Sequence, residues 1–500
     1  MLTWFKTLFH AWEYLLLELS ISLLPKNETV AKQMSQVAEQ CLDANQRAQP
    51  PDNIFIRLAH ARANLALTLL QRLADASHLP KDISKLLTSI TRAINNIEDP
   101  FDKEQISYFR TLLKILFVAL RGTRHSANAP APGASTTSQS GGETTSVAVT
   151  QLILTILDRV VAQSFRSLVA LVHEPTSPTT PEDLALLTAI LQACLSVPGI
   201  DQCQVQILNI MAGHDVFQVA TSLFSWADKL TDKSGDPIYG ELSLVFLLEL
   251  SAMPTIAEQL ACDGLLGHLT SANLAGFMRR ANVGPLADKA GAARCYSIWA
   301  KGILPLLLNM LGALGATIAP EIAYVLNQFP NLLRAAVDRF EAPGVNRTGF
   351  SSPSPSSKSN SNSNNNNNKD TSITLTSISE IHSLALITRV LSAIRMTNAG
   401  GQSARDIPQI SGGWEDEARQ NMLENVEFWL GSRKVLRERL LPFGQREGEW
   451  RSQKPAGAAG ASGEGGATES KCESKLEEKA VEMLSGVAEV LGLGEGEDGA

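Results

Sequence analysis

Eight histidines and six cysteines are the side chains of this 500-residue sequence best suited to hold a metal or attack a substrate, and their spacing does neither. No HExxH pair occurs, and His60, His214 and His268 lie on or beside apolar-periodic stretches, as ordinary surface or half-buried histidines do. Cys41, Cys194, Cys203, Cys262, Cys295 and Cys472 are far apart, with no CxxC pair. Within Leu/Ala-rich segments such cysteines act as small buried hydrophobes. The pattern argues against a disulfide framework or structural zinc and for a reducing compartment. Gly494-Glu495-Gly496-Glu497-Asp498-Gly499 matches GxGxxG, yet it follows no strand and its carboxylates would repel a pyrophosphate. No GxSxG elbow and no GxxxxGK[ST] loop is present. Glu182 and Asp183 stand at a helix start, where they complement the dipole. The sequence therefore predicts no enzyme, no metal and no cofactor. What it offers is surface for binding. Phe428, Trp429, Leu436, Leu440 and Phe443 fall in the last helical region, Trp414–Phe443, and form the candidate partner-binding set. Val426, Trp429, Leu436 and Leu440 recur at the three-, four- and seven-residue steps that helix-in-groove recognition uses. A terminal helix of a repeat array has no following neighbour, so such residues are either capped within the fold or take a partner.

The elements that would position these residues are helical. Hydrophobic content is 44% but aromatic content only 6%, so Leu and Ala carry the core, a balance that favours helix over sheet. Asn27 starts a helix with Val30, Met34, Val37 and Cys41 on one face, and Asp52 opens another bearing Leu58, Leu65, Leu69 and Leu73. Asp82 caps a third, with Leu86, Ile90 and Ile94. Asp102 with Gln105 forms a capping-box pattern, and Gly122 is expected to end that helix as a C′ glycine. Thr180, Pro181 and Asp183 repeat the start signal. Helix and short breaker then alternate for several hundred residues, the mark of an α-solenoid. The segment Leu247–Leu260, followed by Asp263-Gly264-Leu265-Leu266, resembles one armadillo/HEAT-type repeat. The net charge of −8 argues against a nucleic-acid binder. The basic cluster Arg433–Arg439, interspersed with Glu438, reads as a solvated helix face.

The expected organisation is helical repeats over 1–122 and 147–341, C-terminal helices over 372–443, and disordered insertions at 123–146 and 342–371. The first insertion is rich in Ser, Thr, Gly, Ala and Pro, and the second carries Ser-Pro repeats and Asn364–Asn368. Residues 444–500 read as a flexible tail, with Cys472–Leu491 at most one short helix, frayed or serving as a docking peptide. Gly302–Pro320 runs without a charge and is long enough to cross a bilayer. Pro305, Asn309, Gly312 and Gly315 interrupt it, and no aromatic belt or basic flank frames it. It reads as a buried helix of a large α-protein rather than a transmembrane segment. The start, Met1–Pro25, looks like a signal peptide only superficially: Glu13 and Glu18 break it, and no small-residue cleavage site follows.

The string Tyr296-Ser297-Ile298-Trp299-Ala300-Lys301-Gly302-Ile303-Leu304-Pro305-Leu306, followed by Leu326-Asn327-Gln328-Phe329-Pro330, resembles the C-terminal part of the nucleoporin-188 family. The likeness covers about residues 1–443, and the family's members are several times longer. The resemblance implies a right-handed superhelix of helical repeats and a place in the inner-ring scaffold of the nuclear pore complex, at the nuclear envelope. It also implies a role in nucleocytoplasmic transport of protein and mRNA, with other nucleoporins as partners: a linker nucleoporin helix and, weakly, Phe-Gly repeats. Phe443-Gly444 is the one Phe-Gly dipeptide in the chain, so it is not itself a Phe-Gly-repeat protein. The alternative reading is a soluble armadillo/HEAT adaptor or nuclear transport receptor.

Overall fold

The computed structural model describes residues 7–8, 11–12, 14–15, 18, 28–47, 53–79, 83–127, 142–174, 176–231, 235–280, 282–343, 372–397, 407–415, 418–454 and 472–492. Among them the chain is all-α, and the sole strand-like feature is an isolated parallel bridge between Ile373 and Leu440. It divides into two compact units, Met1–Leu223 and Phe224–Ala500.

The first unit contains α1 (Glu28–Arg47), α2 (Asn53–Asp75), α3 (Ser84–Asn95), α4 (Ile106–Ala127), α5 (Gly142–Ile156), α6 (Gln163–Val172), α7 (Pro181–Leu195) and α8 (Gln204–Gly213). A π-helical turn, Leu157–Ala162, joins α5 to α6, and α9 (Val216–Trp226) spans the division. Helices near in sequence pack together, α1 on α2, α2 on α4 and α4 on α7. The four-residue apolar spacing accounts for the burial: Leu86, Ile90 and Ile94 of α3 are all interior, as are Leu65, Leu69 and Leu73 of α2. At α7 the expected capping box forms, the Thr180 N–H donating to Asp183 Oδ2 at 2.8 Å. Asp183 is not solvated, however. Arg110 of α4 grips it bidentately at 2.6 and 2.7 Å, which locks two helices together.

Gly122 does not end its helix, which continues to Ala127. A Cβ there would lie 2.7 Å from Leu79 Cδ1 and 2.9 Å from Ile83 Cδ1, so this glycine permits close approach rather than a left-handed cap. Helix therefore enters the insertion expected at 123–146 from both sides, through Ala127 and from Gly142, and 128–141 lies outside the described residues.

The second unit runs through α10 (Ile238–Ser251), α11 (Pro254–Cys262), α12 (Leu265–Ser271), α13 (Asn273–Met278) and α14 (Ala290–Ser297). A second π-helical turn, Ile298–Ile303, leads into α15 (Leu304–Leu314), then α16 (Ala319–Asn327) and α17 (Pro330–Phe340). The set closes with α18 (Leu375–Thr397), α19 (Arg419–Gly431), α20 (Arg433–Arg439), α21 (Gln445–Ser452) and α22 (Lys475–Gly492). The repeat-like segment is α10–α12, with Gly264 at φ +73° turning the chain into α12, the conformation that favours glycine. Of the insertion expected at 342–371, all but its first two residues lies outside the described residues.

Most of the uncharged run Gly302–Pro320 lies in the helical stretch Ala290–Thr317, which, like α18, is long and apolar enough to cross a membrane by length and composition, while Ala319 and Pro320 open α16. Here the two pack on each other, through the π-turn and α15. Their contact encloses a polar centre. Glu380 of α18 is fully buried, accepting hydrogen bonds from Tyr296 Oη at 2.5 Å, Trp299 Nε1 at 2.9 Å and Arg339 Nη1 at 2.8 Å. Burial, and then the charge of Glu380, hold the Tyr296 phenol well above its usual pKa, so it remains a donor. Gly302, one turn on, meets Leu244 of α10 so closely that a Cβ would fall 2.4 Å from Leu244 Cδ2.

Breaking a buried pair leaves an uncompensated charge. Glu380→Gln is expected to lower the stability of the second unit by about 3–5 kcal/mol. Arg339→Met with Glu380→Leu should restore only part of that loss, because Tyr296 Oη and Trp299 Nε1 then stay buried without their acceptor. Denaturant melts of the three chains check this; a single-variant loss below about 1 kcal/mol would show that the centre carries little stability.

Candidate functional site

The C-terminal region, where the sequence places its binding candidates, is assembled from three segments distant in the chain. Ile373 N–H donates to Arg439 O and Leu441 N–H to Ile373 O, both at 2.9 Å, which pins the start of α18 beside the end of α20. Thr374 and Ser377 cap α18 reciprocally, N–H to hydroxyl, at 2.9 and 3.1 Å. On this base α19 packs against α17, and α22 lies across α18 and α19.

Three of the five candidates are thereby interior. Trp429 is 1% exposed, and its Nε1 donates to Phe340 O at 2.7 Å, satisfying a carbonyl at the end of α17. Leu436 and Leu440 are buried as well. Phe428 is half-buried, its ring edge-on to Trp429 at 5.4 Å, and Phe443 is 37% exposed with Lys301 Nζ 5.4 Å above its ring. The expectation that α19 and α20 lack a following neighbour is corrected: α22 supplies one. Nor is the tail simply flexible with a frayed helix. Leu476, Ala480, Leu484, Val487, Val490 and Leu491 of α22 are all buried, and α21 packs against it.

Electrostatics hold both ends of α22. Glu477 is fully enclosed and pairs bidentately with Arg437 of α20 at 3.1 Å to each oxygen. The same carboxylate accepts the Glu473 N–H at 2.8 Å, while Ser474 Oγ accepts the Glu477 N–H at 3.2 Å. The hydrogen bonds that Arg437 donates to Glu477, and then the charges of Glu477 and Glu473, raise the Arg437 pKa. At the other end Arg389 of α18 reaches Val490 O at 3.4 Å. Arg437 is thus not part of a merely solvated face, a role that local sequence could not show because its partner lies forty residues away.

Among the described residues no group of three His, Cys, Asp or Glu side chains could hold a metal ion. His214 bonds Asp158 at 2.7 Å, beside the first π-turn, and His60 bonds Thr111 at 3.2 Å. Burial, then Asp236, pushes the Cys295 thiol up to about 11, so it is a poor nucleophile. Clefts open on the surface of each unit. One of about 660 Å³ in the first unit is lined by Phe101, Phe109, Arg159 and Leu171, with Glu98 and Asp99 at its edge. Another, of about 370 Å³ in the second unit, is lined by Pro237, Leu274, Phe277, Val283 and Ala292.

An all-α array of serially packed helices, cross-pinned by ion pairs, defines a helical-repeat protein of the α-solenoid class. The match to a family model described as nuclear pore protein NUP188 C-terminal domain, over residues 86–491, shows that the chain belongs to the NUP188 family, whose members are nuclear pore proteins. It is 57% identical to nucleoporin NUP188 of Chaetomium thermophilum over 98% of its own length and 26% of that protein's. Identity to nucleoporin nup184 of Schizosaccharomyces pombe is 28%, over 32% of the chain and 10% of that protein. The chain thus spans about a quarter or less of these relatives. A solved segment of Nup188 from Myceliophthora thermophila, amino acids 1445–1827, superposes with a TM-score of 0.64 at 60% identity, covering 83% of this chain and 99% of that one.

Trp429→Ala is expected to destabilise the second unit by about 3–5 kcal/mol, as a core truncation does. An unchanged melting temperature would show that the indole is not structural. A second expectation concerns His382, which lies against Gly486 where α18 meets α22. Burial lowers its pKa from 6.5, so the unfolded chain binds the proton more tightly. Stability should therefore fall as pH drops through about 6.5 toward the depressed folded value, and His382→Gln should flatten that slope. Melting temperatures between pH 7.5 and 5 would register it.

Proposed function

We propose that the chain is part of the structural scaffold of the nuclear pore's inner ring and serves nucleocytoplasmic transport by holding other nucleoporins in place. The observation that carries this reading is 57% identity, along 98% of the chain, to a protein named as nucleoporin NUP188. The packing supports it: helices pinned by buried ion pairs resist sliding, as a load-carrying frame requires.

The partner we favour is an amphipathic helix of a linker nucleoporin. Such helices dock through anchors three, four and seven residues apart. Of the five candidate residues, Phe428 and Phe443 reach the surface, while Trp429, Leu436 and Leu440 support them from beneath. Weak contact with Phe-Gly segments suits the 370 Å³ cleft, where Phe277 is 39% exposed beside Leu274 and Val283.

Affinity capture of the tagged chain from nuclear envelopes tests the reading. Linker nucleoporins should co-purify, and Phe428→Ala with Phe443→Ala should weaken that capture about tenfold or more, since losing an aromatic anchor costs about 2 kcal/mol. The melting temperature should stay near that of the parent. A freely diffusing chain that captures no nucleoporin would instead favour the adaptor or transport-receptor alternative.

A further inference from the structure

The cleft of the second unit gathers polar groups that the fold leaves unsatisfied. Asp228, in the connection from α9 to α10, lines it together with Leu274, Phe277 and Val283. Its Oδ2 accepts a hydrogen bond from Asn273 Nδ2 at 3.2 Å, whereas its Oδ1 is buried without a hydrogen-bond partner. Folded chains seldom leave a buried acceptor unpaired, because its desolvation is then uncompensated. A donor seated in this cleft would relieve that cost.

Cations at the same cleft are equally unclaimed. The neighbours Arg279 and Arg280 differ in this respect. Arg279 is spent inside the fold, donating to Gln328 O at 3.2 Å and Thr270 O at 2.8 Å. The exposed Arg280 guanidinium lies 4.4 Å above the Phe277 ring and has no carboxylate or carbonyl partner among the described residues. Lys289, exposed on the same lining, has no ion pair among them either. The wall opposite α13 is fixed. Arg294 grips Asp236 at 2.9 and 3.0 Å, and Gly291 backs so closely onto the chain that a Cβ would fall 2.5 Å from Gly235 O. Such a wall keeps the cleft formed before any ligand arrives.

We infer that this cleft binds an extended acidic peptide. An apolar side chain enters between Leu274, Phe277 and Val283, an adjoining main-chain N–H donates to Asp228 Oδ1, and a neighbouring Asp or Glu pairs with Arg280 or Lys289. The inference refines the Phe-Gly reading of the same cleft and rests on its premise that a peptide segment docks there. Rings beneath cations, Phe277 with Arg280 and Trp226 with Lys229 at 4.1 Å, also suit single-stranded nucleic acid. A phosphate backbone, however, carries a negative charge on every unit and no N–H for Asp228, and the chain's net charge of −8 opposes it further. A peptide carries its donor and its carboxylate on separate atoms, as the cleft requires.

Fluorescence anisotropy on the full chain tests this with labelled peptides in which one Phe is moved stepwise through a background of Asp, Glu and Ser. At least one should bind, and changing its acids to Asn and Gln, or its Phe to Ala, should weaken it about tenfold or more. Arg280→Glu, at an exposed side chain, should weaken the acidic peptide by a similar factor and favour a version with Lys in place of the acids. Asp228→Asn probes the other end. Asn273 claims the remaining acceptor, so the new NH2 group meets the peptide N–H donor to donor, and affinity should fall while the melting temperature stays near that of the parent. Should that variant unfold, Arg280→Glu decides. No binding by any peptide of the set overturns the inference, and so does binding that ignores the substitutions. A neutral Phe-Gly peptide bound as tightly as the acidic ones overturns the acidic code yet leaves the Phe-Gly reading standing, which separates the two failures. Binding of a labelled oligonucleotide in place of the peptides overturns it as well.

Discussion

Glu380 is the constraint on which the second unit depends. It sits in α18 with no access to water, and both carboxylate oxygens are met by donors from elsewhere: Trp299 on one, Tyr296 and Arg339 on the other. Moving such charges out of water costs several kcal/mol per ion, and only complete hydrogen bonding offsets it. The donors come from the α14–α15 stretch and from α17, so one side chain fixes the mutual position of three helical segments. Apolar surfaces alone would tolerate sliding, because leucines and alanines along a helix are nearly interchangeable. A slip of one turn would strand Glu380 or Arg339 without a partner.

The same device recurs at helix starts. Asp183 in the first turn of α7 takes Arg110, Glu477 in the first turn of α22 takes Arg437, and Glu241 in the first turn of α10 takes Arg294, which also grips Asp236 at 2.9 and 3.0 Å. A carboxylate at a helix N-terminus already answers the dipole. Giving it an arginine from another helix turns a local cap into a tertiary link. The hydrogen bonds that Arg294 donates to Asp236, then the charge of Glu241, drive its guanidinium pKa upward despite partial burial. These links hold the array where its short helices have limited apolar area of their own.

Local signals were readable where one element decides the outcome. The capping box at Thr180–Asp183, the buried face of α3 and the turning glycine at Gly264 all depend on residues within a few positions of each other. The uses of Gly122 and Glu477 do not. A glycine that ends a helix and one that admits a neighbouring Leu79 look alike in sequence, and only the packing separates them. Which of the two alternatives for the C-terminal stripe holds, a cap within the fold or a partner, was unreadable for the same reason. Trp429, Leu436 and Leu440 show an apolar stripe, but what covers the C-terminal helices is α22, which follows a stretch without Leu, Ile, Val, Met or aromatic residues. Periodicity identified the stripe; the pairing of Arg437 with Glu477, forty residues apart, decides that it is covered.

The apolar run after Gly302 follows from a further feature that periodicity misses. Between Ser297 and Leu304 the helix opens into a π-turn, which inserts a residue and rotates the faces that follow. Before the turn Tyr296 is directed to Glu380; within it Trp299 still is, while Gly302 already backs onto Leu244 of α10. Beyond it α15 packs against α11 and α18 as well as α10, and Asn309 reaches Ser251 at the end of α10 at 3.0 Å. A regular α-helix presenting one stripe could not serve all these neighbours. The residues meeting these successive neighbours, Ile303, Leu304, Leu306, Leu307, Met310 and Leu311, are apolar and buried in each case, and together they widen the apolar stripe. The hydropathy that suggested a membrane span is thus the trace of a central helix changing partners partway along its length.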